Sequence, residues 1–169
     1  MTYNIHPIFV HFPIALLFLY SLIKIIPFQK WFPKVSWKHI ENVLLVIGLL
    51  GAFVALSTGE TATHLVHPNR QLVSAHSLFA SITTLLYGLL VLGEILPFVV
   101  NNLKFNSPKV INIIVFIQKM ITSPFVSKSL AVLGMLAITV TGLLGGAMVY
   151  KNSADPLTGI VLHLFGLSY

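Results

Sequence analysis

Four apolar runs of bilayer length constrain this chain more than any other feature. They cover residues 7–26, 40–57, 72–96 and 130–150. A helix needs ~20 predominantly apolar residues to cross hydrocarbon, and there it must satisfy all of its own backbone hydrogen bonds. Composition agrees, since 56% of the 169 residues are hydrophobic while Lys and Arg total ten and Asp and Glu four. The expected fold is an all-α integral membrane four-helix bundle, a single transmembrane domain over residues 1–169.

Lysine placement sets the expected orientation. The connection between the first two runs holds Lys30, Lys34 and Lys38, with Lys24 just before it, and that between the last two holds Lys104, Lys109, Lys119 and Lys128. The opposite side carries only Arg70 and Lys151, offset by Glu60 and Asp155. The positive-inside rule then puts both termini on the extracytoplasmic side of a multi-pass protein, expected in the bacterial inner (plasma) membrane. Trp31, Phe32 and Trp37 form an expected aromatic anchor at the inner interface. The first run is expected to be a span rather than a cleaved signal, having no basic leader and no small-residue cleavage site.

Two shorter segments are expected to lie on the surface. Residues 108–121 are apolar but short, and Asn112, Gln118 and Lys119 interrupt them, which fits a cytoplasmic interfacial helix. Residues 156–166 space Leu157, Ile160, Val161 and Leu164 as one helical face. Asp155 is placed to cap that helix and Pro156 to open it, and His163 is placed to cover what lies beneath.

The net charge of +6 is accounted for by topology and anionic lipid, and no basic patch interleaved with aromatics points to nucleic acid. Absence of cysteine excludes disulfides, thiolate metal sites and iron–sulfur ligation by this chain. No sequence repeat or second domain stands out.

Six of the seven histidines fall at the extracytoplasmic ends of the runs: His6, His11, His64, His67, His76 and His163. Imidazole near lipid is costly without a partner, so a shared depth points to a site. His39 stands apart among lysines. In the first stretch, His6-Pro-Ile-Phe-Val-His11-Phe-Pro13, a separation of five puts the two histidines on different helix faces. One is then expected to face the bundle while the other meets the interface. In the second, Glu60, His64 and His67 form an i, i+4, i+7 stripe, a credible set for zinc, copper or iron, or else a solvated helix end. In the third, His76 lies one turn inside a span, flanked by Ser74, Ser77 and Ser81. A lone histidine there is commonly hydrogen-bonded across helices.

Small residues add a clue. Gly48, Gly51, Ala52 and Ala55 lie on the second run, and Gly134, Gly142, Gly145 and Gly146 on the fourth. They allow close helix approach, and they also leave room for a flat macrocycle.

The opening His6-Pro-x-x-Val-His11-Phe-Pro13-Ile-Ala, with Thr58-Gly59-Glu60 closing the second run and His76 opening the third, resembles a bacterial membrane family catalogued as domain of unknown function 2231. The resemblance covers roughly residues 6–150. The family pattern has an acidic residue after the third-run histidine, where this chain has Ser77. Some relatives are joined to Rieske-type iron–sulfur domains, which implies a redox setting.

Three functions are open at this point. In the first, b-type haem is held by His11 and His76, with His64 as the substitute ligand, for electron transfer to an extracytoplasmic redox partner. In the second, a copper, zinc or iron ion is held by Glu60, His64, His67 and His76, with His6 a further candidate ligand. In the third, the chain is a cofactor-free membrane assembly subunit with structural or pH-responsive histidines. The balance favours haem. Whether the protein is an enzyme or an oligomer is open, and no residue is assigned a catalytic role. A serine nucleophile is disfavoured because no elbow motif or histidine–acid partner is evident.

Overall fold

The computed structural model describes residues 5–66, 69–102, 107–150 and 156–167, with the backbone alone at 64–66. Its helices are α1 (His6–Ile25), α2 (Phe28–Trp31), α3 (Trp37–Val66), α4 (Arg70–Asn102), α5 (Pro108–Thr122), α6 (Pro124–Tyr150) and α7 (Pro156–Leu164). Among the described residues there is no strand. Four helices, α1, α3, α4 and α6, are long and apolar enough to cross a membrane.

Proline opens several of these helices for a local reason. Pro7, Pro108 and Pro124 occupy first-turn positions, where a missing N–H costs nothing and a fixed φ favours the helix. Pro13 lies inside α1, and the helix continues through it, with the proline buried against Gly51. The long helices overrun the apolar runs. α3 has 30 residues and α4 has 33, roughly 45 and 50 Å at ~1.5 Å per residue, against a hydrocarbon core of ~30 Å. Both therefore project beyond the apolar layer.

The four spanning helices close a ring. α1 packs on α3 and α6, and α4 packs on the same two, so α1 and α4 stand on one diagonal and α3 and α6 on the other. His6 meets His76 and Leu17 meets Tyr87, so α1 and α4 run parallel. α3 and α6 run antiparallel to them, with Gly59 and Gly48 on His6 and Leu17 and with Gly145 and Gly134 on His76 and Tyr87. At mid-height, Leu17 of α1 and Tyr87 of α4 are each 0% exposed and fill the axis. The Tyr87 hydroxyl donates to the Leu17 carbonyl (3.1 Å) and accepts from Ser21 Oγ (2.7 Å). Tyr20 meets the Tyr87 ring edge-on at 6.1 Å.

Gly48 and Gly134 make this filling possible. A Cβ at Gly48 would lie 2.7 Å from Leu17, and one at Gly134 would lie 2.9 Å from the Tyr87 ring. These two glycines serve helix approach, and the space beside them is occupied by side chains. Large apolar residues such as Leu50, Phe53, Leu85 and Leu136 are exposed on the outside, as a lipid-facing surface requires.

The lysine end is closed by ion pairs and α5. Lys24 binds Glu41 at 3.0 Å, and Lys38 binds Glu94. Burial of Ile121 against Gly93 docks α5 onto α4, while Ile113, Phe116 and Met120 remain exposed on its other side. Phe28 of the one-turn helix α2 stacks on Trp37 at 5.4 Å, and the Trp37 indole N–H donates to the Phe32 carbonyl. At the histidine end α7 packs on α6. Leu162 is buried with Leu72, Leu144 and Ala147, and Phe165 meets Phe79 at 5.1 Å.

Candidate two-histidine site

The diagonal pair α1 and α4 each turn a histidine toward the bundle, His6 at the start of α1 and His76 six residues after α4 begins at Arg70. The rings of His6 and His76 are 6.4 Å apart between centres and nearly perpendicular, at 85°. The other diagonal supplies their supports. His76 Nδ1 lies 2.9 Å from the Thr141 carbonyl of α6. A carbonyl only accepts, so Nδ1 of His76 carries the proton and Nε2 the lone pair. His6 Nδ1 lies 3.0 Å from Thr58 Oγ1 of α3. Thr58 spends its own proton on the Ala55 carbonyl (3.1 Å), so it accepts from His6, whose ring also interacts with the Ala55 backbone. Both imidazoles thus take the same tautomer, with the proton on Nδ1.

Glycine clears both rings. A Cβ at Gly59 would stand 3.3 Å from His6 Cε1, and one at Gly145 would stand 3.3 Å from His76 Cε1. Two turns into the bundle from His76, the Thr83 hydroxyl is buried with no hydrogen-bond partner among the described residues. Among the described residues no group of three or more His, Asp or Glu side chains is arranged to hold an ion. The arrangement brings two imidazoles, one from α1 and one from α4, beside each other at the end of the bundle.

The family model described as a predicted membrane protein (DUF2231) matches residues 2–155. The chain belongs to the DUF2231 family. No curated protein and no solved structure matches it.

In this DUF2231 chain the other sequence-selected residues are distributed differently. His11 is exposed, and its Nδ1 bonds to the Pro7 carbonyl of its own helix. The histidine that meets His76 is therefore His6. Glu60 is exposed on α3, one residue past Gly59. The side chain of His64 and all of His67 lie outside the described residues, as does Asp155. His163 is exposed on α7, whose cover over the histidine end is made instead by Leu162 and Phe165. Glu94 is engaged by Lys38, far from the histidines.

Thr58 and Thr141 are the functional positions that sequence reasoning left unassigned as histidine partners. Thr58 was visible within Thr58-Gly59-Glu60, but its partner is 52 residues away. Thr141 acts through its carbonyl, which no residue type announces.

Proposed function

We propose that this protein is a membrane redox protein that holds b-type haem between His6 and His76 and passes electrons near the histidine end of the bundle. The observation that carries the reading is the ring geometry. Were haem bound, His6 and His76 would hold its iron through their ring nitrogens, and their ring centres, 6.4 Å apart, are close enough for both to reach one ion.

The donor set supports the same conclusion. Two nitrogens satisfy an iron whose other four ligands come from the porphyrin, whereas zinc in a structural site takes four protein ligands. Fixed Nδ1–H groups raise the basicity of Nε2 and hold each ring in place. The unpartnered Thr83 hydroxyl lies in the same part of the core and offers a donor to a bound group. Haem, when bound, supplies one-electron chemistry, and the chain supplies axial nitrogen, orientation and an apolar surround. With the histidine end extracytoplasmic, an electron partner on that side is implied.

A second reading is a non-haem copper, zinc or iron ion that draws on the Glu60, His64 and His67 stripe as well as His6 and His76. It is favoured by the continuity of α3 through Val66, which keeps Glu60 and His64 one turn apart on the helix that carries Gly59 against His6.

The deciding experiment is the visible spectrum of the purified protein, made with haem available, before and after dithionite. Haem predicts a Soret band, with α and β bands that sharpen on reduction. A featureless spectrum overturns the haem reading. Elemental analysis of the same sample then tests for copper, zinc and iron.

A further inference from the structure

We infer that the chain is a tandem duplication of a two-helix unit, that its pseudo-twofold axis runs along the bundle between His6 and His76, and that Gly59 and Gly145 are paired positioning residues. Each uncovers the helix carbonyl through which one imidazole is held, directly for His76 at Thr141 and by way of the Thr58 hydroxyl for His6 at Ala55. The positioning role stands without any ligand, and only its effect on haem rests on the function proposed above.

The two halves share a register. A shift of 70 positions carries the buried residues of α1, Pro13, Leu17, Tyr20, Ser21 and Ile23, onto Thr83, Tyr87, Leu90, Val91 and Gly93, all buried on α4. A shift of 86 carries Leu45, Gly48 and Ala52 of α3 onto Ala131, Gly134 and Ile138, which are buried on α6. The contacts follow the same shifts. His6 rests on Gly59 as His76 rests on Gly145, and Leu17 rests on Gly48 as Tyr87 rests on Gly134. In all four helices the two positions of each kind are eleven residues apart.

Some identities persist between the halves. Phe9, Leu16 and Leu19 recur as Phe79, Leu86 and Leu89, and Val46, Leu50 and Val54 recur as Val132, Leu136 and Val140. No single period relates the halves, because the shifts are 70 and 86, a difference of 16. That is about the length of α5, whose 15 residues are inserted only in the second half. A fixed-period comparison misses the repeat for this reason.

The duplicated element includes a specific device. The Thr141 carbonyl that accepts from His76 lies four residues before Gly145. Its counterpart under the shift is Ala55, four residues before Gly59, and the Ala55 backbone interacts with His6. A helical side chain covers the turn N-terminal to its own Cα, so glycine at i+4 leaves the carbonyl of residue i open to a second donor. A carbonyl has two lone pairs, one of which serves its own helix. The other takes the His76 imidazole at Thr141 and the Thr58 hydroxyl, which in turn holds His6, at Ala55. Thr58 departs from the symmetry, since Leu144 stands at its counterpart and His6 alone gains a hydroxyl.

The test uses full-length protein in detergent with 15N-labelled histidine. Imidazole 15N spectra report which ring nitrogen is protonated, and His6→Ala and His76→Ala assign the signals. In the unmutated protein both rings are expected to carry the proton on Nδ1. Gly59→Val should displace the His6 signals alone and Gly145→Val the His76 signals alone. Alanine at each site gives a milder form should valine prevent folding. Gly88→Val, whose Cβ would meet nothing within 4 Å, should move neither ring. If both rings keep their signals in the Gly59 and Gly145 variants, or if each variant moves both rings alike, the inference is overturned. Haem titration of the same variants should show matched losses of ~10–100-fold, the usual effect of removing a ligand's support. Unmutated protein that binds no haem yet gives the expected 15N pattern sinks the haem reading and leaves the positioning role standing.

Discussion

His6 and His76, 70 residues apart in the chain, meet at 6.4 Å with their rings crossed at 85°. Each leans on the helix that follows it across the membrane, His6 on Thr58 of α3 and His76 on Thr141 of α6. The pair therefore depends on all four spanning helices at once.

Loss of either member should empty the proposed haem site. His6→Ala and His76→Ala are each expected to abolish the Soret band of protein made with haem. His11→Ala, at an exposed position, should leave it unchanged. Equal Soret absorbance in all three variants would exclude the pair as axial ligands.

Helix contacts should be more sensitive at Gly134 than at Gly48. Both alanine variants press a new methyl into filled space, an insertion that commonly costs ~1–3 kcal/mol. At Gly48 the new methyl would meet a Leu17 methyl at 2.7 Å and the Leu17 branch carbon at 2.8 Å, an aliphatic side chain that holds no hydrogen bond and can give by turning about its first side-chain bond. The Tyr87 ring facing Gly134 is rigid, and its hydroxyl is tied to Ser21 and Leu17. Thermal unfolding in detergent should show the larger fall in Tm for Gly134→Ala.

The buried hydroxyls of Ser21 and Tyr87 should behave as one unit. Tyr87→Phe removes both bonds and is expected to cost about 1 kcal/mol, within the ~0.6–2 kcal/mol range of hydrogen bonds between membrane helices. Ser21→Ala in the Tyr87→Phe background should then add little. A double-mutant cycle that returns simple additivity would argue against coupling.

Lys24–Glu41 should matter more than Lys38–Glu94. Its side chains are 19% and 14% exposed, against 56% and 24% for Lys38–Glu94. Exposed pairs contribute ~0–1 kcal/mol, while a lost partner in a buried pair costs ~3–5 kcal/mol. Glu41→Gln is therefore expected to lower Tm more than Glu94→Gln, and the reverse order would show that burial does not rank them.

Sequence alone determined the membrane class, the four spanning helices and the gathering of histidines at one end. These follow from hydropathy over ~20 residues and from helix breakers, both local properties of the chain. It also separated the faces of His6 and His11, because 100° per residue is fixed within a helix. Which of the two turns inward was decided by α3 and α6, through Thr58, Gly59 and the ring order of the bundle. Gly48 and Gly134 were legible as sites of close approach, but whether a macrocycle or a side chain fills the space depended on Leu17 and Tyr87 across the diagonal. The duplication was hidden because an inserted helix breaks the period, and because only inward-facing positions are held to the common register. Burial and partner choice join residues far apart in sequence, so they became definite only when the four helices packed together.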